Sequence, residues 1–186
     1  MDFKMLSSKI RDFLFPLPEP CCYCGGERTW TGFCANCWQE ICDLQRQEIC
    51  SICGRVINEQ EGCPECRNTT YAFSMARGVG EFQGIIRDLL YQFKYVGRQS
   101  LAKPMGSLMA EVVLNQPGFS GAHCLIAIPL ANERLEHRKF NQSQLLAVEI
   151  AKWVELPVLG GILFRSRETV VQATLGRAER AYNMEG

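Results

Sequence analysis

Cys21-Cys22-Tyr23-Cys24, Cys34-Ala35-Asn36-Cys37, Cys50-Ser51-Ile52-Cys53 and Cys63-Pro64-Glu65-Cys66 are four cysteine pairs, each with two residues between its outer thiols. A tight turn of that spacing aims two sulfurs at one metal ion, each at about 2.3 Å, and a tetrahedral ion needs two such turns. Nine residues separate the first pair from the second, and nine separate the third from the fourth. The equal gaps favour consecutive sites: Cys21, Cys24, Cys34 and Cys37 on one ion, Cys50, Cys53, Cys63 and Cys66 on the other. A crossed arrangement, first pair with third and second with fourth, satisfies the same stoichiometry, and a redox or iron–sulfur role uses the same ligands. Four thiolates leave no open coordination position, so the expectation is two structural zinc ions without zinc catalysis. Gly25-Gly26 and Gly54 follow two of the turns, where backbone amides swing toward the thiolates.

Working outward, ten of the eleven cysteines precede residue 67, and Cys124 alone follows. A secreted disulfide scaffold needs an export signal. Residues 1–12 carry scattered charges and no unbroken apolar segment, and no apolar run is long enough to span a bilayer. The expected location is the cytoplasm, where clustered thiols mean metal. Cys22, Cys42 and Cys124 read as small buried hydrophobes; Cys22 also sits one residue short of the ligand spacing.

The 186 residues carry equal numbers of basic and acidic side chains, so no strong field favours nucleic acid or acidic membranes. Residues 1–70 hold 7 basic and 10 acidic side chains, and residues 71–186 hold 13 and 10. Three parts are expected: an N-terminal helical arm (1–20), a double zinc ribbon (21–70) and an α/β domain (71–186). Leu6, Ile10, Phe13 and Leu14 suggest a short helix over 5–14, which Pro16, Pro18 and Pro20 end. Residues 71–79 read as a strand. Helices are predicted over 81–94, with Phe82, Ile85, Ile86, Leu89, Leu90 and Phe93 on one stripe, over 100–114, and over 142–154. Residues 123–129 read as a strand covered on both faces, and Val158-Leu159 as its sheet neighbour. Trp30, Phe33 and Trp38 read as packing for a module too small for its own core, or as a stacking platform for single-stranded bases.

The loop 131–142 carries the densest chemistry. It leaves the carboxyl end of an apolar strand, where ligands collect in open α/β sheets. Arg134, His137, Arg138 and Lys139 cluster there, and Asn141 and Gln142 open the next helix. Guanidinium forks at a helix start suit phosphate. The candidates for phosphate, pyrophosphate or nucleic-acid binding are Arg134, Arg138, Lys139, Asn141 and Gln142. The plainer reading, a solvated loop capped by Asn141, stays open, and His137 reads as a surface residue.

Pro129-Leu130, Arg134, Arg138 and Phe140-Asn141-Gln142 resemble the P-L-x-x-x-R-x-x-x-R-G-F-N-Q signature of the ComF family of competence proteins. Phe93-Lys94-Tyr95 with Gly97 is similar to that family's F-K-Y-x-G segment. Arg165, Arg167, Thr169, Gln172, Leu175, Arg177, Arg180 and Asn183 are similar to a third block. Lys139 stands where the pattern has glycine, which alone reaches positive φ without strain. The resemblance implies an N-terminal double zinc ribbon followed by a phosphoribosyltransferase-like α/β domain. It further implies an acidic pair and a Thr-Thr-Gly loop that hold phosphoribosyl pyrophosphate; neither occurs in these 186 residues. The expected fold is therefore an incomplete phosphoribosyltransferase-like domain, either truncated or completed by another chain. Two functions follow from the resemblance. One is action on single-stranded DNA in natural transformation, with proteins of the uptake machinery as partners and without a complete active site. The other is transfer of ribose 5-phosphate to a nitrogen nucleophile, with Arg134, Arg138, Asn141 and Gln142 on the leaving pyrophosphate. The second needs magnesium and a completed site. A fragment without activity is the third possibility.

Overall fold

The computed structural model describes residues 18–58, 62–165, 169–170 and 172–184. The helix expected over 5–14 lies outside them. Strand β1 (Glu19–Pro20) pairs antiparallel with β2 (Arg28–Thr29), and the hairpin carries the first cysteine turn between its strands. Helix α1 (Ala35–Gln45) starts at the second turn, with Cys34 as its N-cap residue. Cys37 and Ile41 lie four residues apart on its buried face. A lone antiparallel bridge, Ile49 with Val56, closes the third turn.

Residues 71–79 do not form the expected strand. Part of their backbone pairs with the third cysteine turn instead: the Ala76 N–H donates to the Ile52 carbonyl at 2.7 Å. Gly54 makes this approach possible. It sits at φ 69°, and a Cβ there would lie 2.5 Å from the Ala76 carbonyl oxygen.

Helix α2 (Gly84–Tyr91) runs into a π-helical turn (Gln92–Val96), and Gly97 ends it in the left-handed conformation at φ 78°. The expected stripe is buried at Ile85, Ile86, Leu89 and Phe93. Phe82 departs from it: it precedes the helix and is 67 % exposed. A 3-10 turn (Gln99–Leu101) leads into α3 (Ala102–Leu114).

Strand β3 (Leu125–Ile126) pairs in parallel with β4 (Val158–Leu159), Leu125 opposite Val158. Between them lie α4 (Asn132–Arg138) and α5 (Gln142–Val154), giving a strand–helix–strand unit. The loop expected at 131–142 is thus mostly a short helix. Helix α5 packs on α3 and on both strands. The helices approach closely at Gly106, where a Cβ would lie 2.4 Å from the Glu149 Cβ. The paired part of the strand expected over 123–129 is two residues long, and it is not covered on both faces. Ile126 and Ile128 are 39 % and 66 % exposed, and β4 is the strand's single partner among the described residues. A 3-10 turn (Gln172–Thr174) and α6 (Arg177–Met184) follow. No helix among the described residues is long and apolar enough to cross a membrane.

One buried cluster joins Cys21, Phe33, Cys34, Cys37 and Ile41 to Ile85, Leu89, Phe93, Leu101, Met105 and Phe140. Truncating the fully buried Phe93 to Ala would cost about 3–5 kcal/mol. Polar ties reinforce the junction. The Ile85 N–H, at the start of α2, donates to Glu40 Oε1 on α1 at 2.9 Å. The Tyr23 hydroxyl donates to Asp88 at 3.1 Å, and Arg98 donates to the Cys22 carbonyl at 3.1 Å.

Candidate metal centres and basic site

The cysteines gather in the consecutive arrangement. The sulfurs of Cys21, Cys24, Cys34 and Cys37 form one group and those of Cys50, Cys53, Cys63 and Cys66 another, each within 4.8 Å throughout. The crossed arrangement is excluded by this geometry. Cys24 and Cys34 Sγ are 3.7 Å apart, Cys50 and Cys66 3.6 Å, and Cys53 and Cys63 3.5 Å. A disulfide needs about 2.05 Å. Four sulfurs held tetrahedrally at 2.3 Å lie about 3.8 Å apart, so the spacing suits one ion per group. Backbone amides also reach the sulfurs: Gly26 N–H to Cys24 and Ile52 N–H to Cys50, both at 3.4 Å.

Without an ion the thiols divide their protons unequally. The backbone amides of Cys53 and Ile52 hold the Cys50 thiol down to about 6. Burial pushes Cys21 up, but the amides of Cys34, Cys24 and Tyr23 outweigh it and bring it to about 6. Burial, then the neighbouring thiols, push Cys66 up to about 12 and raise Cys37 as well. Four adjacent thiolates repel one another, and a bound dication is what lets all of them ionise. Each group can therefore hold one metal ion. Cys22 stands apart, its thiol pushed up to about 12 by burial. Of the three aromatics, Phe33 is core at 3 % exposure, while Trp38 and Trp30 are 36 % and 69 % exposed.

The second centre begins at the start of α5. Asn141 caps that helix, its Oδ1 accepting from the Ser143 and Gln144 N–H groups at 2.9 and 3.4 Å. Its amide donates to the Ile128 carbonyl at 3.2 Å, tying the cap to the end of the β3 segment. Gln142 is 5 % exposed. Its Oε1 accepts from Arg138 at 3.2 Å, and its Nε2 has no partner among the described residues. The Arg138 guanidinium also lies 5.2 Å from the centre of the Tyr95 ring, within cation–π range. Partial desolvation, then the Arg138 charge, lower the pKa of Lys94. Phe93 meets Phe140 at 5.7 Å. Arg134 is half-buried with no hydrogen bond or ion pair among the described residues, and Lys139 is exposed.

The structure therefore brings Arg138, Asn141 and Gln142 together and sets Arg134 and Lys139 on the same short helix and its cap. Sequence reasoning missed Lys94 and Tyr95 as parts of this site. Their signal was the Phe93-Lys94-Tyr95 block, whose apolar Phe93 must be buried while its neighbours stay at the surface. It also missed Arg77. Arg77 clamps the second cysteine group, donating to the carbonyls of Ser51 at 2.7 Å and Cys50 at 3.4 Å and to Gln116 Oε1 at 3.2 Å. The third sequence block folds on itself: Arg180 donates to the Gln172 and Leu175 carbonyls, and Asn183 bonds both backbone groups of Val170. Arg165 donates to the Thr169 hydroxyl. Arg167 lies outside the described residues.

Fold and site together define a protein with two four-cysteine groups able to hold metal ions, joined to a small mixed helix–strand unit that carries a basic cluster. Among known proteins, the chain is 25 % identical over 175 residues to "DNA utilization protein YhgH" of Salmonella typhimurium, spanning 84 % of this chain and 77 % of that one. The YhgH protein of Escherichia coli is 24 % identical over the same length. "Competence protein F" of Haemophilus influenzae is 22 % identical over 171 residues, 89 % of this chain and 73 % of that one. No protein-family model matches the chain, and no solved structure matches it.

Proposed function

We propose that the chain is a ComF-like protein that binds single-stranded DNA during DNA uptake in natural transformation. On this reading it works in the cytoplasm, beside proteins of the uptake machinery. Its relatives are named for DNA utilization and competence, which supports the reading at the level of process. The observation that carries it to a site is the gathering of cations at the start of α5. Arg138 is held by Gln142 and the Tyr95 ring and has no ion pair among the described residues, and its charge acts on Lys94. Cations gathered without an ion pair favour an anion, and phosphate fits. The two cysteine groups hold zinc as staples that shape the front of the molecule. The strand–helix–strand unit and its flanking helices form the phosphoribosyltransferase-like part, spanning residues 71–186, with the ribbon at 21–70.

The test is fluorescence anisotropy of a labelled single-stranded oligonucleotide with the metal-loaded chain. Arg134→Ala is the cleaner substitution, since Arg134 has no hydrogen-bonding role among the described residues. Arg134→Ala and Arg138→Ala should each weaken binding several-fold and lower the salt slope by about 0.7. Affinity unchanged in both variants would remove the site from DNA binding.

A further inference from the structure

Tyr91 and Tyr95 sit four residues apart where α2 passes into its π-helical turn. Their ring centres are 5.2 Å apart at 39°, and the two residues are 60 % and 58 % exposed. Two exposed rings in contact form a contiguous patch, which is more informative than a scattered side chain. Tyr95 is also the ring over which Arg138 lies, and Lys94 is its chain neighbour. Exposed π-faces thus adjoin the cations that the phosphate reading uses.

The other aromatic surfaces compare poorly. Tyr71 and Phe73 stack at 4.7 Å, but Tyr71 faces Cys66 and Glu65. A four-thiolate site keeps net negative charge around a dication, so phosphate is repelled there. Trp30 is exposed without a ring or cation partner among the described residues.

We propose that Tyr91 and Tyr95 are a stacking platform for the bases of single-stranded nucleic acid whose phosphates lie on Arg138 and Lys94. This rests on the single-strand reading above and adds where the bases go. Stacking on aromatic rings tolerates any base sequence, because every base has a π-face. A duplex keeps its bases stacked inside and cannot use such rings, so the platform selects single strands.

The experiment uses the metal-loaded full chain with two probes: an oligothymidylate, and an oligomer of equal length with abasic sugars. Tyr91→Ala and Tyr95→Ala should each lower oligothymidylate affinity about 5- to 150-fold. Tyr91→Phe should keep it. Tyr91→Ala, which touches no cation of the site, should leave abasic affinity and the salt slope unchanged, whereas Lys94→Ala should lower the slope by about 0.7. Circular dichroism checks each variant's fold, and Tyr91→Ala serves if Tyr95→Ala does not fold. If the tyrosine variants bind oligothymidylate like the parent while Arg134→Ala weakens it, the platform is wrong and the phosphate site stands. If Tyr91→Ala loses equally on both probes, the rings do not meet bases. If the parent binds neither probe, both proposals fall.

Discussion

Lys139 holds φ 65° just past α4, and its N–H returns to the Leu135 carbonyl at 2.7 Å. This is the left-handed helix end that glycine adopts without strain and that costs a Cβ-bearing residue about 1 kcal/mol. The resembling pattern has glycine here, and the sequence alone left open whether lysine changes the loop. The backbone keeps the glycine-like geometry and carries the strain. Lys139→Gly should therefore raise stability by about 1 kcal/mol, which for a chain of this size is about 2–4 °C in thermal unfolding. If the lysine touches phosphate, the same variant should bind single-stranded DNA more weakly at lower salt slope. Glu155, at φ 55° after α5, supplies the control. Glu155→Gly should gain similar stability with binding unchanged. A Lys139→Gly chain that melts at or below the parent temperature would show that the turn is not strained.

At the scale of elements, the cysteine groups were legible because thiol spacing and metal geometry leave few alternatives. The apolar helices were legible because their buried residues recur at 3.6. Helix α4 was not. Its sequence Asn132-Glu133-Arg134-Leu135-Glu136-His137-Arg138 carries one apolar residue, Leu135, itself 41 % exposed, so no stripe announces a helix. Residues 71–79 misled in the opposite sense, since a backbone partner lies in a metal turn rather than a sheet. The metal sites also carry a pH dependence. Loading an ion requires all four thiolates, so it releases protons, those of the raised Cys66 and Cys37 among them. Falling pH reverses this. Cys50 and Cys21, held at about 6 against an ordinary 9.0, are the last to take protons. A thiol lowered in this way favours the fold while ionised, and that contribution fades as pH falls through about 6. Metal release to a colour-forming chelator should thus accelerate as pH drops from about 7 to about 5. A flat release rate across that range would mean that protons do not compete for these ligands.

For the whole molecule, the two metal sites have unequal standing, and local sequence pattern could not show it. Cys21, Cys34 and Cys37 belong to the main buried cluster, with Phe33 and Ile41 beside Ile85, Leu89 and Phe93. That contact joins residues some fifty positions apart, which periodicity does not encode. Reading Phe33 as packing anticipated it in kind, not in partner. The second group lies outside that cluster, and Arg77 is a tie between it and the body through Cys50, Ser51 and Gln116. Loss of the first ion should therefore loosen the wall against which α2 packs, whereas loss of the second should free mainly its own turns. Cys37→Ser should lower the melting temperature by about 10 °C or more, consistent with losing a metal site inside a core. Cys63→Ser should shift it by only a few degrees and speed amide exchange mainly within residues 48–76. Hydrogen exchange read by mass spectrometry separates the two cases. Equal melting shifts, or exchange in the Cys63→Ser chain that spreads into α2 and α3, would mean that both metal sites support one cooperative core.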